Sequence, residues 1–235
     1  MKLKILSGSL VVIATLASAT ASMRTVACRV VMFSKNRENP AVLYAWANGS
    51  NAPAKVKPSL SVEAFPAEVA VPENGEIHFR ADEKRASPVV AVAKIPPAVK
   101  GVFLFLMADD NPDDEILFQT VAIEDAPQGS QSGGIVVHNT SAHEGQVTLG
   151  SGVHSLPPGK TLRVPTPADR DEYHMAPLKV ELMKDGKWVA LKEGMTRFSS
   201  RDLYLIFTYP GARPGETLIK TYQKSIAIPT SGNRS

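Results

Sequence analysis

Short apolar runs recur along the chain at intervals of about ten residues, and this spacing constrains the fold more than any other feature. The runs are rich in Val, Ile, Leu, Phe and Tyr, and clusters of Pro, Gly, Asn and Asp separate them. No window carries an apolar stripe with helical spacing over three turns. We therefore expect an all-β protein, in which the 18 prolines and 16 glycines serve turns and edge strands.

Two tight turns can be recognised in the sequence. Asp185-Gly186 follows residues 178–182, where apolar and charged residues alternate, and precedes a second apolar run. Asp-Gly supplies the positive φ angles of a type I′ turn, so this segment predicts a β-hairpin. Asn74-Gly75 lies between two similar runs and predicts another hairpin.

The two halves of the chain resemble each other. Residues 29–32 and 134–137 open two segments, and residues 102–106 and 203–207 begin the closing part of each. The offset between corresponding runs stays near 101 to 105 residues, which is expected if one unit was duplicated. A unit with about seven short strands suits an immunoglobulin-like β-sandwich. We therefore expect two tandem β-sandwich units.

The boundaries of these units follow from composition. Residues 125–133 are polar and rich in Gly, Ser and Gln, which is typical of a linker. This places the first unit at residues 24–124, the second at 134–229 and a disordered tail at 230–235. A linker this short predicts that the two units pack against each other.

The amino terminus has the pattern of a secretory signal peptide. Lys2 and Lys4 precede an apolar run at residues 5–17 and the small residues Ala19-Thr20-Ala21. Residues 1–21 therefore predict export, to the periplasm or the medium. Their removal leaves 24 Lys and Arg against 23 Asp and Glu, a balance without the basic footprint of a nucleic-acid-binding protein. No later run reaches the roughly 20 residues of a transmembrane helix.

Cys28 is the only cysteine, so the chain contains no internal disulfide. One interpretation is a buried thiol, because Val30 and Val31 place Cys28 in a strand. The alternative is lipidation, since residues 25–28 (TVAC) have the small residue before cysteine that a lipobox requires. Thr25 and Arg24 depart from that pattern. The lipidation hypothesis predicts an outer-membrane lipoprotein instead of a released protein.

Four segments of the second half carry a resemblance to a known group of proteins. They are residues 133–140 (GGIVVHNT), 156–159 (LPPG), 185–188 (DGKW) and 205–210 (LIFTYP). With these segments the chain resembles a family of secreted β-rich proteins from bacteria such as Verrucomicrobia and Planctomycetes, over most of residues 100–228. The resemblance implies a bacterial, exported, double β-sandwich. It brings no catalytic residues and no activity.

Two groups of residues are candidate metal ligands. Asp109, Asn111, Asp113 and Glu115 place oxygens at alternate positions, as in the first half of a calcium loop, but the glycine and glutamate of an EF-hand are missing. The second group offers nitrogen and oxygen ligands for zinc or copper within seventeen residues and consists of His138, His143, Glu144 and His154. Its spacing matches no standard metal pattern. Turn or surface roles are the alternative for both groups.

Tyr44 and Trp46 are the candidate ligand-binding aromatics. They alternate on one face of a predicted strand, and exposed rings of this kind stack on sugars. The alternative is that both rings belong to the core, as we expect for most of the other aromatic residues.

The sequence contains no Gly-x-Ser-x-Gly, Ser-x-x-Lys or His-Glu-x-x-His motif. We therefore predict an exported, non-catalytic binding or structural protein of the bacterial cell envelope, without a cofactor. Its expected partner is another envelope protein or a surface polymer, docked at strand edges or end loops. A glycan- or metal-binding module is the alternative. A hydrolase with an unrecognised carboxylate or His/Glu site is the third hypothesis.

Overall fold

The computed structural model of this protein describes residues 22–33, 39–108, 116–125, 133–199, 201–211, 213 and 215–226. This part of the chain is all-β and contains no helix. It accordingly includes no helix of the length and hydropathy needed to span a membrane. The predicted signal peptide, most of the predicted linker, and the tail lie outside the described residues.

The described residues form sixteen strands. They are β1 (Met23–Met32), β2 (Leu43–Ala47), β3 (Ala54–Val56), β4 (Ala67–Pro72), β5 (Glu76–Arg80), β6 (Val89–Lys94), β7 (Gly101–Ala108), β8 (Phe118–Glu124), β9 (Gly134–Asn139), β10 (Gly145–Leu149), β11 (Gly152–Leu156), β12 (Thr161–Pro165), β13 (Met175–Lys184), β14 (Lys187–Arg197), β15 (Asp202–Pro210) and β16 (Thr217–Ser225).

The strands form three sheets. The first eight lie in one sheet with the order β3-β2-β5-β6-β8-β7-β1-β4. This sheet curls so far that its edge strands β3 and β4 lie against each other. The last eight strands form two four-stranded sheets, ordered β11-β10-β13-β14 and β12-β9-β15-β16.

The strand pairing of β9–β16 repeats that of β1–β8. In each half the first strand pairs antiparallel with the fourth, the second with the third and fifth, the fifth with the sixth, and the seventh with the eighth. The first strand also pairs in parallel with the seventh. One pairing differs, because β6 joins β8 in parallel at Ala91 and Phe118, whereas β14 and β16 belong to separate sheets. The shared connectivity agrees with the offset between apolar runs, but each half has eight strands and not seven.

Of the two predicted hairpins, one is confirmed and one is wrong. Asp185-Gly186 joins β13 to β14, and both residues have the positive φ angles of a type I′ turn, 49° and 75°. Asn74-Gly75 also forms a turn, but the two strands that it connects do not pair with each other. β4 pairs with β1, and β5 pairs with β2. A Cβ at Gly75 would lie 2.3 Å from the carbonyl oxygen of Ile95, so this turn needs glycine for a close backbone approach.

Three clusters of buried apolar side chains stabilise the structure. One fills the inside of the curled sheet, one lies between the two sheets of β9–β16, and the third lies between the halves. Strand β7 contributes to two of them, since Val102 and Leu104 face the first cluster while Phe103 and Phe105 face the cluster between the halves. A strand buried on both faces is expected to have a continuous apolar sequence, as β7 has.

The cluster between the halves is rich in aromatic rings. Phe105 and Phe207 approach to 4.4 Å between ring centroids, and Phe33 meets Tyr209 edge-on at 4.9 Å. The ring of Tyr222 lies 5.3 Å from that of Phe105. Phe105 belongs to the fifth residue pair of the β7–β1 pairing, and Phe207 belongs to the fifth residue pair of the β15–β9 pairing. The two halves therefore present corresponding faces to each other. The halves therefore pack together, as the short linker predicts.

A cluster of charged side chains lies beside these rings. The carboxylate of Asp125 forms ion pairs with Arg29 of β1 and, at 2.5 Å, with Lys224 of β16. All three side chains are less than one-fifth exposed. Asp125 is the first residue of the predicted linker, and its carboxylate links strand β1 to strand β16.

Candidate functional site

The second half contains an open seam, by which we mean the gap between edge strands β14 and β16. Both strands are fully described, and parts of them approach each other, but no strand pairing joins them. In the first half the corresponding strands β6 and β8 are paired in parallel. Hydrogen bonding between β6 and β8 therefore closes the first half at this position, whereas the second half has the open seam.

Strand β14 has unusual exposure for its length. None of its eleven residues is buried, and it is the outermost strand of its sheet. Trp188 and Met195 are 42% and 54% exposed, on the outer face opposite Met183 and Pro177. The free N–H and C=O groups of an edge strand are a template for another strand. β14 therefore combines an open backbone edge with exposed apolar side chains.

The charges on β14 are mostly positive. Lys187, Lys192 and Arg197 outnumber the single acid, Glu193. Lys192 lies opposite Val180 and is therefore on the core-facing side of the sheet, next to the seam. Lysines and inward-pointing charges on an edge discourage indiscriminate strand pairing. They favour a partner strand that carries acidic side chains.

A cleft of about 620 Å³ opens at the carboxyl end of the seam. It is lined by Arg170 and His174 from the β12–β13 loop, Arg197, Phe198 and Ser199 at the end of β14, Asp202 and Tyr204 of β15, and Gln223 of β16. This volume is within the usual range for small-molecule sites. The cleft therefore brings together polar groups from four separate segments of the chain.

The β12–β13 loop contributes Arg170 and His174 to the cleft, and hydrogen bonds hold this loop in place. Oδ1 of Asp171 accepts hydrogen bonds from the backbone N–H groups of Tyr173 and Met175, at 2.9 and 2.8 Å. His174 has a φ of 61°, a conformation that costs free energy for a residue other than glycine. Its carbonyl oxygen accepts the N–H of Phe198 at 2.8 Å, which attaches the loop to the end of β14.

The predicted metal group is not assembled. No three or more His, Cys, Asp or Glu side chains within the described ranges are arranged to hold a metal ion. His143 and Glu144 are exposed in a turn, and His154 lies opposite Val147 in β11. The ring of His138 faces Phe207 at 6.0 Å, toward the cluster between the halves. The structure does not bring these four residues together, because His138 and His154 lie on strands of two different sheets and His143 and Glu144 lie in a turn. The predicted calcium ligands at residues 109–115 lie outside the described residues.

Asn139 is a buried polar residue that sequence reasoning missed. Its amide nitrogen donates to the carbonyl oxygens of His143 and Leu156, at 2.8 and 3.0 Å. Its Oδ1 accepts from the hydroxyls of Ser141 and Thr208, at 2.7 and 2.9 Å. Every group of the amide is used, so Asn139 has a structural role in joining the two sheets of the second half.

Burial lowers the pKa of His138 to about 4, from an ordinary value of 6.5. Between these values the unfolded chain takes up a proton that the folded chain does not, so stability falls as pH falls through this window. We expect the free energy of unfolding to decrease between pH 7 and pH 4.5, and to decrease less in His138→Phe. Urea unfolding at several pH values measures both, and an equal loss in the variant would contradict the assignment.

The candidate aromatics Tyr44 and Trp46 lie on the outer face of β2 and are partly buried, whereas Leu43 and Ala45 are in the core. The core alternative is therefore wrong for these two rings. The guanidinium of Arg85 lies 5.6 Å from the ring centroid of Trp46 and partly occupies the face that would stack on a sugar. Sugar stacking at this face stays a prediction.

Cys28 is fully buried in the middle of β1, and burial raises the pKa of its thiol to about 12. These properties are those of the inert, buried thiol that the flanking valines predict. Lipidation at Cys28 would require removal of Met23–Ala27, which pair with β4. No observation on the described residues tests that processing.

Comparison of the sequence with family models and with curated proteins gave no match. The resemblance to secreted double β-sandwich proteins therefore stays a prediction.

Proposed function

We propose that this chain is an exported, non-catalytic binding protein of the bacterial cell envelope, and that β14 binds an extended segment of another exported protein by strand addition. One observation supports this proposal above all others. β14 is an edge strand of eleven residues, none of them buried, beside an open seam, at the position where β6 of the first half is paired. Strand addition uses the free backbone groups for affinity and the side chains for specificity.

We further propose that the two halves are tandem β-sandwich units, each exported as part of one chain. The repeated connectivity and the separate clusters inside each half support this interpretation. Under it, the second unit presents its open seam to a partner, while the first unit supports it through the cluster between the halves. The leader at residues 1–21 provides the route to the envelope.

Charge favours a foreign segment over a second copy of this chain. Antiparallel pairing of two β14 strands centred on Lys192 would set Lys192 opposite Lys192 and Lys187 opposite Arg197. Like charges directly opposite each other in a sheet are destabilising. A segment with alternating apolar and acidic residues complements both the exposed apolar side chains and the basic ones. We therefore assign the seam to an acidic extended segment of another protein.

A synthetic probe tests this function. The probe is a fluorescently labelled peptide of alternating valine and glutamate, about nine residues long, which suits the length of a strand. We expect saturable binding by fluorescence polarisation, together with slower amide hydrogen exchange in β14. The same peptide with N-methyl groups at alternate peptide bonds cannot complete the ladder and is expected to bind at least tenfold more weakly.

Two variants provide a matched comparison. Lys192→Glu is expected to weaken binding of the valine–glutamate probe, because it places a negative charge at the seam. Lys55→Glu changes an exposed lysine on the short edge strand β3 and is expected to leave binding unchanged. Equal binding of the N-methylated peptide, or equal weakening by both variants, would exclude strand addition at β14.

A further inference from the structure

The cleft at the end of the seam contains two guanidinium groups without an acidic partner. No ion pair joins Arg170 or Arg197 to a carboxylate of the described residues. Nη1 of Arg170 donates to the carbonyl oxygen of Phe198 at 2.7 Å, which fixes the orientation of the group. Its Nε is buried and has no hydrogen-bond partner among the described residues. A buried donor left without a partner destabilises the protein, so this group favours a ligand that can accept its hydrogen bond.

A carboxylate is the ligand group that fits this arrangement. The planar guanidinium presents its N–H groups as a fork that matches the two oxygens of a carboxylate. Asp202 is the one acid of the cleft lining, so two arginines and one aspartate leave a single positive charge. A monoanionic carboxylate balances that charge, and an oxygen near Nε of Arg170 would satisfy the unpaired donor.

The position of the cleft specifies which carboxylate this is. Arg197 is the last residue of β14, and the hydroxyl of Tyr204 donates to its carbonyl oxygen at 2.8 Å. That bond occupies the edge of β14 at this point, so an added strand has to end here. A strand that runs parallel to β14 ends with its carboxyl terminus at the cleft. The first half shows parallel pairing at the corresponding place, where β8 joins β6.

We propose that the Arg170–Arg197 cleft binds the C-terminal carboxylate of the segment that pairs with β14, and so fixes both the direction and the register of that segment. This inference rests on the proposed function. It makes the protein a receptor for carboxy-terminal tails rather than for internal loops. His174, Ser199 and Gln223 line the same cleft and are further donors within it.

The experiment compares two forms of one probe. The valine–glutamate peptide is prepared with a free C-terminal acid and with a C-terminal amide, and both are titrated into the wild type and Arg197→Gln. Arg197 is exposed at the strand end, so this variant is expected to fold normally. We expect the acid to bind wild type about tenfold more tightly than the amide, and this difference to disappear in Arg197→Gln.

A second measurement separates this inference from the proposed function. Sodium acetate is titrated into ¹⁵N-labelled protein while the Nε–H signal of Arg170 is followed by NMR, and a shift is expected in wild type. If acid and amide bind equally, strand addition stands and the carboxylate inference is overturned. If neither peptide binds, both the proposed function and this inference are overturned, even if acetate shifts the Nε–H signal of Arg170. If acetate leaves the signal unchanged while the acid binds more tightly, the carboxylate lies elsewhere and the cleft assignment is overturned.

Discussion

Replacing Phe207 with alanine is expected to lower the free energy of unfolding by about 3–5 kcal/mol. The ring is fully buried in the cluster between the halves and lies 4.4 Å from the ring of Phe105. Truncation removes apolar burial and leaves a cavity that surrounding strands cannot fill, because β7 and β15 are fixed by pairing on both sides. Phe105→Ala is expected to have an effect of the same size.

Urea unfolding followed by tryptophan fluorescence measures these changes. Phe65→Ala is the matched control, because the ring of Phe65 is 97% exposed and its removal is expected to change stability by less than about 0.5 kcal/mol. The double variant tests the contact itself. Since the two rings touch, we expect their costs to be non-additive by about 0.5–1.5 kcal/mol. Additive costs would show that the two halves do not pack through these rings in solution.

Replacing Asp125 with alanine is expected to destabilise the protein by about 3–5 kcal/mol. The change leaves the guanidinium of Arg29 and the ammonium of Lys224 close together without their shared carboxylate. Both cations also lie near the ring of Phe103, in a region with little access to water. Removing one partner of a buried ion pair costs more than the pair contributes, because the remaining charges stay desolvated.

Thermal and urea unfolding of Asp125→Ala test this expectation, and two further variants make it specific. Adding Lys224→Met to Asp125→Ala removes one unpaired charge and is expected to restore part of the lost stability. Glu76→Gln breaks the exposed pair with His78 and is expected to cause no measurable change. A loss no larger for Asp125→Ala than for Glu76→Gln would mean that the ion pairs are open to solvent.

Several elements of this fold were predictable because their signals are local. The alternation before Asp185-Gly186 and the φ preferences of that dipeptide specify the β13–β14 hairpin without help from the rest of the chain. The continuous apolar run of β7 likewise reports burial on both faces. Asn74-Gly75 shows the limit of such signals. The turn is encoded locally, but the pairing partners of β4 and β5 are strands far away in sequence.

The candidate site was much less predictable. Arg170, Arg197 and Asp202 are ordinary polar residues in sequence, and they lie together only because β14, β15 and the β12–β13 loop end at one edge of the second half. The histidine group showed the converse, since residues close in sequence lie in a turn and on strands of two different sheets. The spacing of residues in the sequence predicts which side chains lie together only when a single strand or turn carries all of them.

By itself, the sequence determined an all-β chain, a repeated order of apolar runs and one type I′ hairpin, because strand periodicity and turn preferences act between neighbouring residues. Only the tertiary structure decided that β6 is paired with β8 while β14 and β16 remain apart, that Asp125 links β1 to β16, and that two arginines lie at the end of an open seam. These features depend on hydrogen bonds and charges between segments distant in sequence. Such contacts are fixed by how whole sheets pack and leave no pattern in the local order of residues.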